Sequence, residues 1–160
     1  VDFENVDLQA VLDDIAESGF SDSQAGDDLT PSEISGYREL AHQGIDVVIL
    51  DSTSAEGTGL RNLAQTVKDS TRSDDSDGAQ TVVVRAPHNT QVVSDDMSRF
   101  QIESNQGMLH GSTAPQDVAD FLADADASEP DFTAIVVAVI VGILLTVAVS
   151  AAFAALSYRR

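Results

Sequence analysis

Asp51 follows the run Ile45-Asp46-Val47-Val48-Ile49-Leu50. A carboxylate at the end of a buried strand can accept a phosphoryl group, but that chemistry needs partner acids for Mg²⁺ and a lysine for the phosphoryl oxygens. No acidic pair ends an earlier apolar run, and Lys68, the single lysine, falls in the next helical stretch. Asp51 therefore reads as a polar strand terminus that caps the next loop. His42, His88 and His110 show neither HExxH spacing nor a GxSxG elbow, and each reads as a solvent-facing side chain. Asp75-Ser76-Asp77-Gly78 has part of a calcium-loop spacing. Ser73 takes the first ligand position, however, and Val84 stands where the bidentate Glu belongs, so a solvated turn is expected. The chain has no cysteine, which excludes thiol catalysis and thiolate metal sites. No catalytic residue, cofactor or metal site is expected.

Two other groups of residues suit binding. Val92, Val93 and Met97 are apolar in the otherwise polar segment QVVSDDMS. As a short helix, this segment places Val93 and Met97 one turn apart and makes a small docking surface rimmed by Asp95 and Asp96. Equally, the apolar residues can tuck inward as core. Ala134, Ala138 and Gly142 recur every four residues, the small-xxx-small spacing that lets membrane helices approach closely.

That second group lies in the longest apolar run. From Phe132 to Leu156 there is no ionisable residue, and Ser157-Tyr158-Arg159-Arg160 follows. About 20 apolar residues cross a bilayer core of about 30 Å, so a transmembrane helix over 132–157 is expected. Arginine is retained on the cytoplasmic side. The C-terminal tail, 158–160, is therefore expected inside, and the acidic flank containing Asp126, Glu129 and Asp131 outside. The chain carries 27 acidic against 8 basic residues, a formal charge of −19. Arg159 and Arg160 are two of those bases, so the charge before the helix is more negative still. Such a surface lacks the basic patch that nucleic acid requires. The expected organisation is an extracellular domain over 1–124, an acidic linker over 125–131, the membrane helix and a three-residue tail.

The outer domain carries α/β signals. Leu8, Val11, Leu12 and Ile15 have helical spacing, with Gly19 as the stop. Residues 20–29 read as a loop. Thr30-Pro31-Ser32-Glu33 is a helix start with a capping box, followed by the stripe Ile34, Tyr37, Leu40, Ala41. Ile45–Leu50 and Thr81–Arg85 read as buried strands on either side of a helix through Leu60, Leu63, Ala64 and Val67. This order predicts parallel pairing and a right-handed crossover. Phe100–Glu103 alternates and reads as an antiparallel strand; Pro115 starts the last outer helix, with Val118, Phe121 and Leu122 inward. The fold class is a three-layer α/β sandwich with a small, mainly parallel sheet. Because the last outer helix leads to the membrane, loops 51–59 and 86–99 are expected at the membrane-distal tip.

Two resemblances follow from these segments. From Leu29 to Gly107, LTPSEISGYRELAHQGIDVVIL, LRNLAQTV, TVVVRAP and FQIESNQG resemble a TPM domain, an extracytoplasmic α/β module with a membrane anchor. That likeness implies, as an alternative function, a metal-binding module or weak phosphatase, although the acidic residues and glycines of such sites are not evident. The whole layout, with VDLQAVLDDIAESG and IDVVILD, is more similar to an actinobacterial family of small septal membrane proteins encoded beside NlpC-type endopeptidases. This second resemblance implies a receiver-like outer domain that relieves autoinhibition of a peptidoglycan D,L-endopeptidase during cell separation. It also implies a membrane-distal helical insertion as the activating contact, at about Asn89–Arg99, with the NlpC-type enzyme as partner.

Overall fold

A computed structural model describes residues 6–25, 29–51, 57–71, 80–111, 114–128 and 132–157. The chain divides into two units, Val1–Ser128 and Glu129–Arg160.

In the first unit, helix α1 (Leu8–Ser18) starts where the Asp7 carboxylate accepts from the Ala10 N–H. It stops at Gly19, whose φ of 72° is left-handed. Strand β1 (Phe20–Gln24) follows, then helix α2 (Pro31–His42). The Thr30 hydroxyl accepts from the Glu33 N–H at 3.3 Å, and the Glu33 carboxylate accepts from the Thr30 N–H at 2.8 Å. This is the reciprocal capping box that the sequence predicts. Hydrogen bonding to Thr30 also holds the Glu33 carboxyl below its usual pKa. Strand β2 (Ile45–Leu50), helix α3 (Gly57–Thr71) and strand β3 (Thr81–Ala86) come next. Strand β4 (Asn89–Ser94), helix α4 (Arg99–Asn105), a 3₁₀ turn (Gln106–Leu109) and helix α5 (Pro115–Ala127) complete the unit.

The four strands stand in the order β1-β2-β3-β4. β1 and β3 each pair parallel with β2, and β4 pairs antiparallel with β3. Alternation along the strands sends residues to two cores. Ile45, Val47, Ile49, Val83 and Val92 pack with Tyr37, Leu40, Val118 and Phe121 of α2 and α5. Val48, Leu50, Val82, Val84 and Val93 pack with Val11 and Ile15 of α1 and Leu60, Leu63 and Val67 of α3. The domain is thus an α/β sandwich with helices on both faces of a mixed sheet. The crossovers β1-α2-β2 and β2-α3-β3 step the same way across the sheet, yet α2 and α3 cover opposite faces. They must have opposite hands, so one departs from the right-handed rule.

Three expectations are corrected. Residues 20–24 are strand, not loop: Phe20 anchors this polar edge strand, its ring 5.8 Å from that of Tyr37. Residues 89–94 form the antiparallel strand in place of a short helix, with Val92 and Val93 pointing into opposite cores. Residues 100–103 are helix, not strand. The Ser98 hydroxyl accepts from Gln101 N–H at 3.3 Å, and the Gln101 side chain accepts from Ser98 N–H at 2.8 Å, a capping box that fixes the helix start.

The second unit contains helix α6 (Phe132–Ser157), 26 residues without an ionisable side chain. At about 1.5 Å per residue its backbone runs about 39 Å. Side chains are described for 136–147 and 149–150; on those residues alone, no helix is long and apolar enough to cross a membrane.

Candidate functional site

The segment expected to dock a partner divides in two. Val92 and Val93 are core residues, 0% and 5% exposed, so neither is an anchor for a partner. The chain then leaves the sheet at Ser94. The Thr81 and Ser94 hydroxyls lie 2.8 Å apart, and the Ser94 hydroxyl accepts from the Asp96 and Met97 N–H groups at 3.1 and 3.3 Å. This turn leaves Asp95 and Asp96 exposed and Met97 half-buried. Asp95 forms an ion pair with Lys68, whose side chain is almost wholly buried. A buried ammonium is costly without a partner, so Asp95 is a structural residue rather than a free rim charge. The same pair commits Lys68 away from Asp51.

The position of this turn also differs from expectation. Thr81, the first residue of β3, pairs with Ser94, the last of β4. Asp95–Met97 therefore lies where the parallel strands begin. There Asp96, Met97 and Gln101 share a groove of about 320 Å³ with Gly44, Leu122 and Asp126, and Gln101 Nε2 donates to Ala125 O at 3.0 Å. This is the end at which α5 terminates and the chain leaves the domain. Of residues 86–99, only the Pro87-His88 turn and its neighbours stay at the strands' C-terminal end, with Asp51.

Residues 99–109 run along the outside between these two ends. α4 starts beside the Asp95–Met97 turn. At the other end, Leu109 O accepts from Arg85 Nη2 and Thr90 Oγ1, both at 3.3 Å. Arg85, 1% exposed at the C-terminal end of β3, also donates to Tyr37 Oη at 3.4 Å and Ala114 O at 2.9 Å. It lies 3.9 Å from the Asp117 carboxylate. Burial raises the Tyr37 phenol pKa, and the Arg85 charge works against that rise. The arginine thus ties β3 to α2, the 3₁₀ turn and the start of α5.

Among the described residues of the first unit, Phe100 (59%) and Met108 (41%) are the large apolar side chains left exposed. Both stand on this outer run. Sequence alternation hid Phe100 by suggesting a strand; the Ser98-x-x-Gln101 capping signal could have found the helix.

His42, His88 and His110 are exposed, as is Asp51. Among the described residues, no three His, Cys, Asp or Glu side chains are grouped to hold a metal ion. The calcium-like loop at 73–78 lies outside the described residues. In α6, Ala138 and Gly142 are exposed, with open space around Gly142; the side chain of Ala134 lies outside the described set.

A family model described as Membrane protein Rv1476 matches residues 4–160. The chain belongs to the Rv1476 membrane protein family. It is therefore a membrane protein, in keeping with its long apolar segment. No curated protein and no solved structure matches the chain.

Proposed function

We propose that this Rv1476-family protein is a non-catalytic, single-pass activator that binds an NlpC-type peptidoglycan D,L-endopeptidase and relieves its autoinhibition during cell separation. α6 is the membrane span, with the acidic domain outside and Arg159-Arg160 inside. The site is the outer face of residues 99–109. The observation that carries it is the exposure of Phe100 and Met108 on a domain whose other large apolar side chains, where described, are buried or half-buried. Exposed apolar anchors of this kind often concentrate the energy of small interfaces. The proposed contact replaces Val92 and Val93, while Asp96 and Met97 flank its near end.

Autoinhibition asks little of such a surface. The domain need only bind the open enzyme better than the closed one. Tenfold activation corresponds to about 1.4 kcal/mol of differential affinity, within reach of one buried aromatic side chain. The test places a photo-crosslinking amino acid at Phe100 or at Asp13, an exposed residue of α1, in the full chain in its native envelope. The expected product is a crosslink from position 100 to the endopeptidase and none from position 13. Equal crosslinking from both, or none from position 100, contradicts the site. Divalent-metal-dependent hydrolysis of a phosphate ester by the purified full chain would instead support a TPM-type module.

A further inference from the structure

Asp46 is the second residue of β2 and is 7% exposed. Its carboxylate lines a pocket of about 400 Å³ between the C-terminal ends of α1 and α2. Glu17, Ser18 and Gly19 form one wall; Arg38, Ala41 and His42 form the other. Gly19 makes room for the carboxylate: a Cβ there would lie 3.2 Å from Asp46 Oδ1 and 2.2 Å from Ala41 Cβ. Among the described residues, none hydrogen-bonds to or forms an ion pair with the Asp46 carboxylate. Burial alone raises its pKa to about 7. A buried carboxylate is normally paired, because desolvation penalises its charged form. This one faces an open concavity instead.

We propose that this pocket binds a primary ammonium group, with Asp46 as its counter-ion. A metal ion fits poorly, since Glu17, His42 and Asp46 all line the pocket but are not grouped to hold one. An ammonium group needs only acceptors. The Asp46 carboxylate supplies the buried one, and Glu17 adds negative charge on the α1 wall. The volume lies within the range of about 300–1,000 Å³ usual for small-ligand pockets. Arg38 and His42 suit a carboxylate attached to the same ligand. The ammonium group can therefore come from a free amino acid or from a lysine side chain of a polypeptide. The pocket shares no lining residue with the Phe100–Met108 face, so the two proposals stand or fall separately.

The test follows the Asp46 ¹³Cγ resonance through a pH titration of the full chain in nanodiscs. L-Alanine and N-acetyl-L-lysine methylamide serve as probes. At saturation, at least one probe should lower the Asp46 midpoint by one unit or more, which corresponds to about tenfold tighter binding to the ionised form. A larger effect of alanine assigns the free amino acid; a larger effect of the lysine derivative assigns a polypeptide side chain. In Asp46→Asn, saturable shifts of the Ser18 and Gly19 amides should disappear while the rest of the spectrum is kept. An unmoved midpoint with both probes, or saturable shifts retained in the folded Asn variant, would overturn the site.

Discussion

Asp46 sets a residue-scale pH dependence. Burial lifts its pKa in the folded protein to about 7, above the ordinary aspartate value of 3.8. Between those values the native state holds a proton that the unfolded state has lost, so stability falls as pH rises. The favourable contribution is complete below about pH 4 and lost by about pH 7–8, on the order of a few kcal/mol. Asp46→Asn removes the dependence. Its melting temperature should match wild type at pH 4 and exceed it at pH 8, as followed by circular dichroism. Equal melting temperatures at both pH values would contradict a buried, unpaired carboxylate. Asp46 was visible in the sequence only as a polar interruption of an apolar strand. Its pocket depends on Gly19 and α2 meeting beside it, which periodicity does not encode. Arg85 was hidden similarly: the run TVVVR looks like a strand ending in solvent, yet Leu109, Ala114 and Tyr37 close over the guanidinium.

At the scale of elements, legibility followed the strength of local signals. β2 and β3 are buried on both faces and carry continuous β-branched runs, so their sequence pattern sufficed. The Thr30–Glu33 box located α2. β1 was missed because an edge strand with one anchoring aromatic, FSDSQ, has the composition of a loop. β4 was missed because NTQVVS is an edge strand whose two adjacent valines make too short an apolar run to mark a strand. With β4 unrecognised, the antiparallel strand was displaced onto Phe100–Glu103, and the expected docking segment moved to the wrong end of the sheet.

The α1–β1 junction gives an element-scale test. Gly19 and Gly111 have φ of 72° and 78°, but only Gly19 meets neighbouring atoms where a Cβ would stand. Gly111→Ala should cost about 1–2 kcal/mol from backbone strain alone. Gly19→Ala adds overlap with Ala41 and should cost about 1–3 kcal/mol more. Urea midpoints of the full chain in detergent measure the difference. Equal costs would show that α2 does not close on Gly19 as described.

For the whole molecule, two compact units and membrane-protein family membership make orientation a central matter. Arg159-Arg160 and the acidic outer flank place the domain outside in the proposed reading. Protease added to intact spheroplasts should remove an epitope inserted between residues 71 and 80 and spare one at the C-terminus; the reverse pattern would invert the topology. The charge of −19 argues against docking on anionic headgroups.

The activator reading is tested most directly by endopeptidase turnover on peptidoglycan fragments with the full-length protein in nanodiscs. Wild type should stimulate the enzyme at least tenfold. Phe100→Asp/Met108→Asp, with wild-type circular dichroism and melting temperature, should leave it at its basal rate. Full stimulation by that folded double variant would contradict the assigned face, and no stimulation by wild type would contradict the activator role itself.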